Sequence, residues 1–179
     1  SQDVLIESCL CSATGQLTAI FLFGRFKDQL YLVTPIACES EIVQRVEKMV
    51  ILEEVELEKT SLVAQIHASP SQPDTTPTWS TRLLLEEGLS LSLVPQEATS
   101  ECVELSEEAI EALMVLSGTP RYGQDTHAKT LPPELGPDFD ARFVHYAKGC
   151  YMGQEVLQRI HSRGHTNKTW VQIEVPGAI

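Results

Sequence analysis

The chain has 179 residues, of which 42% are apolar, enough to bury one good core or two small ones. No apolar run approaches the roughly 20 residues that a membrane-spanning helix needs, and the opening SQDVLIESCL lacks the basic and apolar regions of a secretory signal. The sequence therefore reads as a soluble, cytoplasmic protein, or as a fragment whose true start is absent. Its formal charge of −12 sits in the first 120 residues, with 6 Lys or Arg against 19 Asp or Glu, whereas residues 121–179 hold 7 against 6; this argues against wholesale nucleic-acid binding.

Near the start, the triplet CLC places Cys9 and Cys11 on one face of a strand. Five cysteines at uneven spacings suit reduced thiols, and no second Cys or His pair lies at metal-site spacing, so this pair reads as two small buried side chains. LTAIFLF and QLYLVTP, joined by GRFKD, predict a hairpin over residues 17–23 and 29–35. A stripe of Ile42, Val43, Val46, Met49 and Val50 predicts a helix over 39–52, and VELEK and SLVAQI read as two further strands. Strand, strand, helix, strand in that order predicts an α+β fold of mainly antiparallel sheets with helices packed against them.

HASPSQPDTTPT reads as a surface loop, and WSTRLLLEEGLSLSLVP as a second hairpin turning near Glu87 and Gly88. SEEAIEALMVLSG has Ser106 to cap a helix, Glu107 and Glu108 in its first turn and Gly118 to stop it. Residues 119–139 then form a long loop, the kind that is usually functional or disordered. At the end, TWVQIEV alternates like a strand that either joins the existing sheet or opens a further domain.

Between Arg142 and Lys168 the only acid is Glu155, so AKGCYMGQEVLQRIHSRGH lies in a locally basic stretch that favours an anionic small molecule. Val156, Leu157 and Ile160 give it a helical stripe, with Gly164 as a stop and Cys150 just ahead of the helix. A thiol there feels the positive end of the helix and the charge of Lys148, which would lower its pKa from about 8.5. Cys150 is either a functional thiol of this kind or a packing thiol. Free N–H groups at the helix start suit a carboxylate or phosphate. Gln154 and Glu155 either bond a heterocycle or serve the turn and the helix dipole. His161 and His165 are four apart, but Gly164 intervenes and no third ligand is apparent, so no metal is expected. No Ser-His-Asp motif, P-loop or dinucleotide fingerprint is present.

KGCYMGQE, residues 148–155, resembles the K-G-C-(F or Y)-x-G-Q-E signature of YgfZ-type folate-binding proteins, relatives of the aminomethyltransferase (T-protein) of glycine cleavage that include the Iba-type proteins of iron–sulfur cluster assembly. The resemblance extends over residues 119–170 and more loosely over residues 1–60. It implies an aminomethyltransferase-like folate-binding domain at 1–166, its N-terminal part missing, and the first strand of a C-terminal β-barrel at 167–179. It also implies tetrahydrofolate or a derivative as cofactor, and iron–sulfur client or assembly proteins as partners, among them tRNA-modifying enzymes, with neither membrane nor direct nucleic-acid contact. On this reading Cys150 is the functional thiol with Lys148 as its electrostatic partner, and Tyr151, Gln154, Glu155 and Arg159 shape the turn or touch ligand. In T-proteins the helix before the loop commonly ends in Leu-Arg-hydrophobic-Glu; here Leu113, Met114, Val115 and Leu116 stand there, without the arginine or the pterin-holding glutamate. Glu134 is then either a substitute pterin contact or a loop-capping carboxylate. The enzymatic alternative is a tetrahydrofolate-dependent aminomethyl transferase.

Overall fold

A computed structural model describes residues 5–51, 54–67, 77–81, 89–95, 97, 105–173 and 175. Strands β1 (Ile6–Cys11), β2 (Leu17–Phe26) and β3 (Gln29–Val33) form one antiparallel sheet with β2 at its centre. Strands β4 (Leu62–His67), β5 (Thr78–Thr81) and β6 (Leu89–Pro95) form a second, in the order β4-β6-β5. Four helices complete the described fold: α1 (Ile36–Met49), α2 (Glu107–Leu116), α3 (Pro137–Phe143) and α4 (Gln154–Arg163). The turn expected near Glu87 and Gly88 lies outside the described residues.

Strand β2 is apolar along both faces because it is covered on both. Ala19, with no exposed surface, meets Cys38 and Ile42 of α1. Farther along, Leu22 packs with Trp79, Leu91 and Leu93 of the second sheet. At Gly24 a side chain is impossible without movement, since a Cβ there would stand 2.6 Å from Trp79 Cε2. The Trp79 indole N–H donates to the Arg25 carbonyl at 3.0 Å, so one residue ties the two sheets together by packing and by a hydrogen bond.

The long loop is ordered rather than open. Arg121 Nε donates to Asp125 Oδ2 at 3.1 Å, the Tyr122 hydroxyl donates to the Thr18 carbonyl, and Pro132–Leu135 winds into a 3-10 turn. Its end holds α3, which the sequence pattern hides because seven residues make too short a stripe. Phe139 and Phe143 stack with centroids 4.2 Å apart and pack with Leu17 and Leu135. Arg142 fastens α3 to β1 through a two-pronged pair with Glu7, its Nε donating to Glu7 Oε2 at 2.7 Å, where both side chains are only 11% exposed.

Three expectations are corrected. VELEK forms no strand: residues 54–60 are exposed, Val55 and Leu57 find no sheet partner, and Lys59 instead pairs with Glu39 at 2.8 Å. The described part of TWVQIEV, residues 169–173 and 175, forms none either. The Trp170 amide donates to the Glu134 carbonyl at 2.7 Å while its ring joins the Leu17 and Phe139 cluster, and Gln172 Nε2 donates to the Val115 carbonyl at 2.8 Å, closing the C-terminal end of α2. Alternation supplies an apolar face but not a neighbour to pair with, and Val171 and Ile173 are left exposed. The expected aminomethyltransferase-like domain leading into a β-barrel is thereby overturned: the described residues form a mixed α+β fold of two small antiparallel sheets and four helices, and neither sheet closes. Among the described residues no helix is long and apolar enough to cross a membrane.

Candidate functional site

The motif is a turn whose position is set by two glycines far apart in sequence. Gly153 adopts φ +81° immediately before α4, and a Cβ there would lie 2.6 Å from the Ser12 carbonyl oxygen and 2.8 Å from Gly15 Cα. Gly15, at φ +80°, belongs to the β1–β2 turn, which is closed by Ser12 N–H on the Gln16 carbonyl at 2.8 Å. Backbone thus touches backbone, and this contact lays the start of α4 against the end of β1. That side of the helix start, expected to cradle an anion, is filled by the hairpin. Leu157, 1% exposed, completes the seam against Cys11 and Val144.

The consequence is a cavity of about 170 Å³ between β1, α1 and the motif. Lys148, Cys150 and Tyr151 line it from the motif, Cys9 and Cys11 from β1, and Arg45 from α1. Lys148 Nζ lies 4.8 Å from the centroid of the Tyr151 ring, a cation–π contact at the mouth. Arg45 bridges two elements, donating to Glu41 Oε1 at 2.8 Å and reaching Met152 Sδ at 2.7 Å. The Tyr151 hydroxyl is buried without a hydrogen-bond partner, an unpaired donor of the sort that a ligand oxygen or nitrogen would satisfy. Burial, and then the nearby Cys11 and Cys9, push its pKa above the ordinary phenol value.

Cys9 and Cys11 lie in the packed seam, Cys11 buried and Cys9 half-buried. Their sulfurs are 4.0 Å apart, and the Cys9 thiol also lies 3.5 Å from the Phe143 carbonyl. Accepting the hydrogen bond of Cys9 holds the Cys11 thiol below its usual pKa against the opposing effect of burial, with Lys148 and Arg45 adding positive charge. The same sharing, together with burial, pushes the Cys9 thiol far up.

The other expected site residues are placed apart. Cys150 is exposed at the rim, and Glu155 and Arg159 are exposed on α4. Gln154, half-buried in the first turn of α4, does not line the cavity. Glu134 caps its own turn, Oε2 accepting from the Leu131 amide at 2.9 Å. Leu116, at the position of the T-protein glutamate, is 74% exposed. Sequence reasoning missed Arg45 altogether; the CLC spacing was visible, but not the cations that line the same cavity. Deeper in the same seam, the Tyr146 hydroxyl donates to Asp140 Oδ1 at 2.6 Å and its ring stacks on His161 at 3.8 Å, which locks α3 to α4.

A second hollow of about 240 Å³ lies between α3 and the end of α2, but its cation, Arg142, is already paired with Glu7 and Asp138.

No family model and no curated protein matches the chain. The resemblance to YgfZ-type proteins accordingly rests on the KGCYMGQE residues and on what surrounds them.

Proposed function

We propose that this is a cytoplasmic, YgfZ-type folate-binding protein that supports the assembly or repair of iron–sulfur clusters in client enzymes, tRNA-modifying ones among them. One observation carries the reading: the signature residues Lys148, Cys150 and Tyr151 open onto one cavity in which a buried phenol lacks a partner and Lys148 supplies positive charge. At about 170 Å³ the space is below the roughly 300–1,000 Å³ of ordinary ligand clefts. It suits one end of a ligand, with the remainder lying outside across the basic motif. Tetrahydrofolate, when bound, supplies a one-carbon carrier; the chain would hold it by the Tyr151 hydroxyl and the Lys148 ammonium, with the exposed Cys150 thiol at the rim for exchange with a client.

Calorimetric titration of the 179-residue chain with tetrahydrofolate tests this. Binding that weakens at least tenfold in Lys148→Ala and in Tyr151→Phe is the expected result. A folded chain that binds no tetrahydrofolate, or binds it equally well in both variants, overturns the folate reading. For the cluster role, a Cys150→Ala variant is expected to fail to restore iron–sulfur enzyme activity in a strain lacking the protein; full restoration removes the thiol from the function.

A further inference from the structure

The chain holds 5 cysteines and 3 methionines. Five of these sulfur-bearing side chains line the single cavity under the motif: Cys9, Cys11, Cys150, Met49 and Met152. They come from three separate parts of the chain, so the clustering is a product of the fold and not of local composition. On the cavity wall Cys11 is buried, Cys9 is half-buried, and their sulfurs stand 4.0 Å apart. Lys148 and Arg45 line the same space. Soft thiolate and thioether ligands select soft ions.

We propose that Cys9 and Cys11 form a binding site for a soft monovalent cation, copper(I), held between the two sulfurs on the wall of this cavity. The charge balance argues for it. Two thiolates holding one copper(I) ion make a centre of net charge −1, and the Lys148 ammonium on the same cavity supplies the opposite charge. A divalent ion between the same two thiolates would be neutral and leave that ammonium without a counter-charge. Two sulfur–metal bonds form, the S–H protons leave to water, no electron is transferred, and the metal stays monovalent.

Geometry points the same way. Divalent zinc wants four ligands in a tetrahedron. Among the described residues no group of three His, Cys, Asp or Glu side chains comes together, so two sulfurs must suffice. Two-coordination is ordinary for copper(I) and poor for zinc. An ion midway between sulfurs 4.0 Å apart sits 2.0 Å from each. Since metal–thiolate bonds run about 2.3 Å for zinc, the sulfurs need to part by only about 0.6 Å. Cys9, half-buried at the open side, has the freedom to provide it. The thioethers and Cys150 give an arriving soft ion a path of soft donors to the pair. This inference does not depend on the folate reading, because neither sulfur of the pair belongs to the signature.

The test is an anaerobic titration of the reduced 179-residue chain with copper(I), in competition with a colorimetric copper(I) chelator. The expected result is one ion per chain, with binding at least a hundredfold weaker in Cys9→Ser and Cys11→Ser and unchanged in Cys38→Ser, which alters a buried thiol of α1 packed on Ala19 of β2. Cys150→Ser is expected to change the affinity less than tenfold. Calorimetry in two buffers of different ionisation enthalpy should detect protons released from the thiols as the ion binds. X-ray absorption should show a shell of sulfur alone. These last two readouts use the unaltered chain and so decide the matter even if Cys11→Ser, at a buried position, fails to fold. Binding no tighter than that of Cys9→Ser, a loss as great in Cys150→Ser as in Cys9→Ser, equal preference for zinc, or a nitrogen and oxygen shell would each overturn the proposal. A chain that takes copper(I) as described but no tetrahydrofolate refutes the folate reading and leaves this one standing.

Discussion

Helices α2 and α4 have the same length, ten residues each, and opposite origins. α2 carries every local signal: the Ser106 hydroxyl accepts from the Ala109 amide at 3.2 Å, and Glu107 and Glu108 stand in the first turn. Yet it buries no residue. α4 has no side-chain cap, and a glycine stands where a cap would be, but it buries Leu157 and holds the motif against β1. Local chemistry is enough to make a helix. A site is made where a helix forgoes a local cap for a tertiary contact, here the Gly153 backbone on the β1–β2 turn.

The sharpest way to break this contrast is Gly153→Ala. A left-handed φ costs an alanine about 1–2 kcal/mol, and displacing the Ser12 carbonyl adds a comparable amount, so we expect a loss of about 3 kcal/mol in urea unfolding. Ligand binding at the cavity should be lost with it. An unchanged unfolding midpoint would show that the backbone contact does not hold α4.

The opposite shifts of Cys11 and Cys9 make a second test, in pH. Cys11 has a lowered folded pKa, so its contribution to stability is present above the unfolded thiol value of about 8.5 and is lost as pH falls through the folded one. Cys9 has a raised folded pKa, so its contribution is present below about 8.5 and is lost as pH rises. Between them the pair should give a stability maximum near pH ~8.5, with limbs no steeper than one proton, about 1.4 kcal/mol per pH unit. Lys148, Arg45, Asp140, Tyr146 and Tyr151 all face the pair and are kept intact in this experiment. Cys9→Ala or Cys11→Ala should flatten the maximum, and a profile that is the same in wild type and variants would deny the coupling of the two thiols.

A smaller effect sharpens the role of Tyr151. Removing an unpaired buried hydroxyl relieves the fold, so Tyr151→Phe should gain about 1 kcal/mol of stability while it weakens tetrahydrofolate binding. A loss of stability would mean that the hydroxyl already has a partner. The smallest effect belongs to α2: Ser106→Ala should cost about 1 kcal/mol or less and leave copper(I) and folate titrations untouched. A change in either titration would tie the locally specified helix to the site after all.

What the sequence made legible follows the same division. The first hairpin and α1, α2 and α4 could be read because their signals lie within a dozen residues: alternation in LTAIFLF, the stripe from Ile42 to Val50, Ser106, and Gly164. α3 escaped because PDFDARF is too short for periodicity to show and its purpose, placing Phe139 and Phe143 on Leu17, is non-local. TWVQIEV misled because alternation reports a face and says nothing about a pairing partner; the fold used Trp170 as a core side chain and Gln172 as a cap. The motif could be located, and so could the alternation of Cys9 and Cys11. That the two belong together could not be read, since it depends on Gly15 meeting Gly153 and on Arg45 arriving from α1.

The contact between Cys9 and the Phe143 carbonyl spans 134 residues, which gives the site a history within each synthesis of the chain. At roughly 5–20 residues per second, the two thiols leave the ribosome roughly 7–27 s before the segment that covers them. During that interval they lack the cover that Phe143, Lys148 and the motif later provide. A metal ion or an oxidant that reaches the nascent chain then meets a dithiol without its gatekeepers.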